Sequence, residues 1–218
     1  MLVAAGRGER LGEDRPKAFA RLGGLPLLAE SLRRLDESEW IDGVVVVGPP
    51  GWEEPCILVA EEVGATKVAT CVPGGETRSA SVRIGLDEVP PDADVVLVHD
   101  AARPLLPPEL VPRLLEALAR GFDGAVPGVP VSDTVKRVHD GVVVETPARD
   151  ELVAVQTPQA FVASVLRAAA AGEGSDCASL VEARGGRVTV VPGDDRLLKV
   201  TTKADLARVE SLLAASPQ

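Results

Sequence analysis

Gly43-Val44-Val45-Val46-Val47-Gly48 sets four valines in a row between two glycines. A strand with one wet face alternates apolar and polar residues, so an unbroken run belongs to a strand buried on both faces. Further short β-branched runs lie at Leu2–Ala4, Lys67–Cys71, Asp94–His99, Gly124–Val129, Leu152–Gln156 and Arg187–Val191, several of them equally unbroken. Helical patterns fall between them. Pro26–Leu35 carries Leu28, Leu32 and Leu35 on one face. Pro108–Arg120 carries Leu110, Leu114, Leu115 and Leu118, with a proline at its start, where the missing N–H costs nothing. Thr202–Ala214 aligns Leu206, Val209 and Leu213. Strands alternating with helices specify an α/β, Rossmann-like fold: a mostly parallel, doubly wound sheet with ligands expected beyond the carboxyl ends of its strands.

One segment breaks the alternation. Ser132–Asp150 holds Asp140-Gly141 between two short valine-bearing runs, a strong two-residue hairpin signal. An isolated hairpin is marginal in water, so a projecting β-hairpin arm at about 132–150 must pack on something else. With no repeat, linker or low-complexity tract, residues 1–218 read as one domain bearing that arm.

Composition narrows the function. The net charge of −10, with three Phe, two Trp and no Tyr, leaves neither a basic footprint nor stacking platforms, which predicts no nucleic-acid partner. Cys56, Cys71 and Cys177 contain no CxxC pair and read as free thiols in a reducing compartment. No apolar run approaches the 18 or so residues of a membrane span, and a glycine-rich loop follows the first strand at once, from which no leader is expected. These features predict a cytoplasmic protein with no membrane partner.

Ala4-Ala5-Gly6-Arg7-Gly8-Glu9-Arg10-Leu11-Gly12, followed by Arg15-Pro16-Lys17, is the strongest chemical signal. Glycines directly after a strand let backbone N–H groups approach phosphate oxygens, and Arg10 and Lys17 add charge to that cradle. The glycines run GxGxxxG, one residue too long for the dinucleotide fingerprint, and Gly48 stands where a ribose-binding acid is required. No GK[ST] follows, which excludes a Walker A loop. A nicotinamide-dependent dehydrogenase is therefore disfavoured.

The AAGxGxR…PK loop resembles that of the sugar-nucleotidyltransferases. More closely, the chain resembles the 2-C-methyl-D-erythritol 4-phosphate cytidylyltransferase family along nearly its whole length. Gly74-Gly75-Glu76-Thr77-Arg78-Ser79-Ala80-Ser81-Val82 is similar to the family's GGxxRxxSV segment, and Thr77 can also cap a helix there. Val98-His99-Asp100-Ala101-Ala102-Arg103-Pro104 resembles its VHDAARP stretch. Asp133-Thr134-Val135-Lys136 resembles the start of its dimerisation arm, Thr157-Pro158-Gln159-Ala160-Phe161 its TPQxF box, and Leu198-Lys199-Val200-Thr201 its IKxT box. Arg196-Leu197 and Ser175–Ser179 depart from the family pattern.

The resemblance implies transfer of a cytidylyl group from CTP to a small polyol phosphate with Mg²⁺ and release of pyrophosphate, by a homodimer, in non-mevalonate isoprenoid synthesis. It implies that Ala4, Ala5, Gly6, Gly8, Arg10, Lys17, Gly75, Glu76, Ser81, Asp100 and Ala101 bind the nucleotide. Asp100, Arg103, Thr134, Arg149, Thr157 and Lys199 would bind the acceptor, with Thr134 and Arg149 reaching it across the dimer. Arg10, Lys17 and Lys199 are the expected catalytic cations. A cytidylyltransferase for another polyol phosphate, such as ribitol 5-phosphate, is the nearest alternative.

Two of these residues also stand out on physical grounds. Asp100 ends a predicted central strand and opens on the ligand crevice, where one carboxylate with phosphate oxygens suffices to hold Mg²⁺; alone, it reads equally as a turn cap. Lys199 sits in the otherwise apolar run Leu197-Leu198-Lys199-Val200, an expensive place for a merely solvated lysine. His99 points to the other side of its strand and reads as structural.

Overall fold

The computed structural model describes residues 1–6, 8, 12, 14–172 and 174–215. In chain order the elements are β1 (Leu2–Val3), β2 (Arg21–Leu22), β3 (Leu25–Pro26), α1 (Leu27–Asp36), β4 (Val44–Gly48), α2 (Glu53–Glu62), β5 (Val68–Pro73) and α3 (Arg78–Asp87). There follow β6 (Val95–Asp100), α4 (Leu110–Ala119), β7 (Gly124–Pro130), β8 (Arg137–His139), β9 (Val142–Glu145), β10 (Val153–Val155), β11 (Gln159–Val162), α5 (Ala163–Ala169), α6 (Cys177–Glu182), β12 (Val188–Pro192) and α7 (Lys203–Ala215).

The central sheet has eight strands in the order β10-β7-β11-β6-β1-β4-β5, with β12 on the other edge of β7. The pairs β6–β1, β1–β4, β4–β5 and β12–β7 are parallel. All five residues of β4 are buried, as its valine run requires. Leu28, Leu32 and Leu35 of α1, Val59 of α2, and Leu110 and Leu114 of α4 pack with Val44 and Val46 on one face. Val82 and Leu86 of α3, Leu166 of α5 and Leu180 of α6 pack with Val96, Val98 and Phe161 on the other. Helices on both faces make the sheet doubly wound. Each fully buried Leu contributes about 1.5–3 kcal/mol.

Three features depart from the expected alternation. The first is β11, which runs antiparallel between β6 and β7, where the sequence reading places the TPQxF box and no strand. Its four residues are too few for periodicity to register, yet Gln159, Ala160 and Phe161 are all buried. Next, β10 and β11 lie one after the other along the same edge of β7. The Gln156 N–H bridges the gap by donating to Pro127 O (2.7 Å), and the Thr157–Pro158 bond is cis. Last, α2, α5 and α6 lack the long leucine stripe that marks α1 and α4; α5 and α6 span seven and six residues.

The Asp140-Gly141 hairpin forms as expected. Both residues take positive φ (49° and 79°), as a mirror-image turn demands, and join β8 to β9 in a two-stranded sheet separate from the central one. Val138, Val142, Val143 and Val144 are all exposed on it. No helix among the described residues is long and apolar enough to cross a membrane.

Candidate active site

The cleft lies where the parallel strands end. β1 gives way after Val3 to Ala4, Ala5 and Gly6. The Ala4 N–H donates to Val47 O and the Ala101 N–H to Val3 O, so the loop is stitched to the ends of both neighbouring strands. A turn from Lys17 to Phe19 follows Pro16 and puts Lys17 in the cleft wall. Gly8 stands behind that wall. Its φ is +71°, and a Cβ there would lie 2.5 Å from the Lys17 Cβ, so only glycine lets the loop close on the lysine stem. Arg10 lies outside the described residues.

A second loop, Pro73 to Thr77, leads from β5 into α3. Thr77 caps that helix, its hydroxyl accepting from the Ala80 N–H at 3.0 Å. Ser81, on the first turns of α3, accepts from the Gly75 N–H (3.1 Å) and donates to Thr77 O (3.0 Å), folding the loop onto the helix start. Gly75, Glu76 and Thr77 thereby form one cleft wall, facing Pro49, Pro50 and Trp52 from the end of β4.

Asp100 closes the floor at the last residue of β6. Its Oδ2 accepts from Lys199 Nζ at 2.6 Å and its Oδ1 from Arg78 Nη2 at 3.3 Å. Burial opposes ionisation, but the Arg78 and Lys199 charges overcome it and hold the carboxyl at about 2, so it is an anion at neutral pH. Lys199 is anchored by its neighbours: Leu197 and Val200 are fully buried, and the Val200 N–H donates to Ala102 O. That apolar flank delivers the ammonium to the carboxylate.

Behind Asp100 lies a buried relay. The Asp100 N–H donates to Thr157 Oγ1 at 3.0 Å. His99 Nε2 is 3.1 Å from Arg103 O, which only accepts, so Nε2 carries the proton. Burial pushes the ring down to about 4 and keeps it neutral, leaving Nδ1 to accept from the Thr157 hydroxyl at 3.0 Å. His99 is structural, as its strand position predicts. Thr157 uses both its lone pair and its proton inside the protein.

The cleft has a volume of about 780 Å³ and gathers Ala4, Ala5, Gly6, Lys17, Gly75, Glu76, Ser81, Asp100, Ala101 and Lys199 from five separate stretches of chain. Of the other expected ligands, Thr157 and Gly8 stand one layer back. Arg103 ties strands to the Lys199 loop, donating to Leu197 O and Val155 O. Thr134 and Arg149 sit at the base of the hairpin, exposed, with Arg149 Nη1 on Ser132 O at 3.1 Å. They do not line this chain's own cleft. Sequence reasoning quotes Arg78 only as part of the GGxxRxxSV stretch, with no role of its own, and does not single out Trp52. Arg78 had a signal: a cation at the first position of a helix works against the helix dipole and needs a partner elsewhere.

A family model for 2-C-methyl-D-erythritol 4-phosphate cytidylyltransferase matches residues 1–215. The chain belongs to that family. The family's namesake enzyme in Frankia casuarinae is 48% identical over 218 residues, covering 98% of this chain and 80% of the relative. That of Streptomyces coelicolor is 44% identical over 226 residues, covering 98% and 84%. Among solved structures, the 2-C-methyl-D-erythritol 4-phosphate cytidylyltransferase of Thermus thermophilus superposes with a TM-score of 0.79 at 34% identity, over 99% of this chain and 98% of that one. The 4-diphosphocytidyl-2C-methyl-D-erythritol synthase of Anaerococcus prevotii superposes at 0.84 and 28% identity, over 98% and 96%.

Both departures from the cytidylyltransferase pattern have local structural roles. Arg196 bridges Asp194 (2.7 Å) and Glu109 (2.8 Å) on the surface, while Leu197 fills the core. Asp176 and Ser179 form a reciprocal cap at the start of α6.

Proposed function

We infer that this chain transfers the cytidylyl group of CTP to 2-C-methyl-D-erythritol 4-phosphate, releasing pyrophosphate, in the non-mevalonate route to isoprenoid precursors. The observation that carries the reading is Asp100, held ionised between Arg78 and Lys199 on the floor of a cleft whose wall holds Lys17.

In this reaction an acceptor phosphate oxygen attacks the α-phosphorus of CTP in line, and pyrophosphate leaves. The oxygen is already anionic at neutral pH, so no general base is needed. The protein has to align the two reactants and neutralise the charge that gathers on the α-phosphate. Lys17 and Lys199 reach the cleft from opposite ends of the sequence and supply that neutralisation. The Ala4–Gly6 loop admits the triphosphate close to the backbone, and the Gly75–Ser81 wall suits the base and ribose. About 780 Å³ lies within the range of small-molecule sites and accommodates both substrates.

Mg²⁺ fits this donor set. Among the described residues no three His, Cys, Asp or Glu side chains cluster as a metal cage. Asp100 would instead serve as a single hard, ionised carboxylate ligand, the type that holds Mg²⁺ together with phosphate oxygens and water. Bound there, the ion would withdraw charge from the phosphates. The exposed valines of the β8–β9 arm support a homodimer in which Thr134 and Arg149 serve the neighbouring cleft. The free thiols support a reducing, cytoplasmic setting.

Pyrophosphate release from CTP, measured with each acceptor in turn, tests the reading. Turnover with 2-C-methyl-D-erythritol 4-phosphate should exceed that with ribitol 5-phosphate by at least about 100-fold, since a polar site rejects a misfitting hydroxyl pattern strongly. Equal or reversed preference overturns the acceptor assignment.

A further inference from the structure

We propose that Arg78 is a positioning residue that fixes Asp100 for the reaction, through the carboxylate and not through the nucleotide. The proposal rests on the cytidylyl-transfer reading above.

Arg78 is the first residue of α3, where the helix presents the positive end of its dipole and its first turn holds no acid. A guanidinium there is repelled by its own helix. Two contacts from other elements offset the repulsion. Nη2 donates to Asp100 Oδ1 at the end of β6, and Nη1 donates to Cys177 Sγ (3.5 Å) at the start of α6. The planar fork thus joins three elements and is held at both tips. Cys177 is fully buried and Arg78 retains only 26% of its side-chain exposure, so the guanidinium has little room to turn.

Lys199 is the contrasting partner. It binds the other oxygen, Oδ2, from a side chain that is 40% exposed on a flexible stem. Arg78 is therefore held on Oδ1 by contacts at both of its tips, while Lys199, the more exposed of the two cations, holds Oδ2 alone. When a substrate phosphate draws Lys199 away, Arg78 keeps the carboxylate oriented, and Oδ2 becomes the exchangeable oxygen. The Thr157 hydroxyl fixes the backbone of the same residue from behind. Asp100 is then held on two sides before any ligand arrives.

A mutant cycle separates this role from direct contact with CTP. Arg78→Gln, Asp100→Asn and the double variant are compared in kcat, and by calorimetry in their affinity for CTP with and without Mg²⁺. Arg78→Gln should lower kcat, and the gain in CTP affinity given by Mg²⁺, by roughly 10–100-fold, as for loss of an outer partner of a metal ligand. Metal-free CTP affinity should hold within about twofold, and on the Asp100→Asn background Arg78→Gln should cost nothing more. Arg78→Lys should recover part of the loss. Cys177→Ala, which leaves both charges in place, should show the same pattern more weakly and covers the case of a misfolded Arg78 variant. Equal losses on the Asp100 and Asp100→Asn backgrounds, or a tenfold fall in metal-free affinity, would overturn the proposal. Wild-type protein that makes no product from CTP would instead overturn the underlying reading.

Discussion

Lys17 and Lys199 are separated by most of the chain and meet at one cleft, where the proposed mechanism has them face charge that grows as the α-phosphorus is attacked. Lys17→Ala or Lys199→Ala should therefore reduce kcat by roughly 10²–10³-fold in protein that still folds, as for removal of one transition-state donor, with Lys199→Ala also losing some stability because Asp100 keeps only Arg78. Steady-state kinetics on folded variants check this; near-normal turnover removes the residue from the mechanism. Thr157 makes the opposite prediction. Its hydroxyl satisfies the Asp100 N–H and His99 Nδ1 inside the protein. Thr157→Val leaves both unpaired and should destabilise the fold by about 2–4 kcal/mol in denaturant titrations. Unchanged stability would mean that the hydroxyl faces substrate instead. At this scale the sequence was legible wherever a residue type clashed with its surroundings. Lys199 among leucines and Asp100 at the end of a valine strand both did so. Thr157 and Arg103 carry no such mark, because their partners, backbone groups and the His99 ring, lie far away in sequence.

The elements were readable in proportion to their length and regularity. The four-valine run of β4 and the leucine stripes of α1 and α4 identify themselves, and Asp140-Gly141 dictates its own turn. β11 does not: four residues beginning with a polar Gln159 acquire their strand identity only from β6 and β7 on either side. The loop into α3 is intermediate, since Thr77 is recognisable as a cap while the fold of Gly75 onto Ser81 is not. Thr77→Ala should cost about 1 kcal/mol of stability through the lost cap. It should also raise the KM for CTP more than it lowers kcat, because Gly75 and Glu76 hang from that cap. A KM equal to wild type would show that the wall is set by Ser81 alone.

For the whole molecule, the arm is the feature that its own chain leaves incomplete. Val138, Val142, Val143 and Val144 are each more than half exposed on a two-stranded ribbon. Such a ribbon needs a covering surface, and exchange about a two-fold axis satisfies two copies at once. If Arg149 serves the neighbouring site, inactive Arg149→Ala and inactive Lys17→Ala subunits should complement each other. Random exchange makes half the dimers mixed, each with one intact site, so about a quarter of wild-type activity should return. No recovery after proven exchange would place Arg149 in its own chain's chemistry or outside it. The sequence announced the arm through its turn, but the number of copies needed to cover it lies outside any single chain's pattern.

Phosphorus NMR of wild-type protein with Mg²⁺, CTP and 2-C-methyl-D-erythritol 4-phosphate tests the central claim most directly. The two signals of a new cytidine diphosphate ester should rise together with pyrophosphate in equal amounts, and Lys17→Ala/Lys199→Ala protein should leave the starting spectrum unchanged. Failure of the wild type to make that ester, or its formation at the wild-type rate by the double variant, would contradict the account.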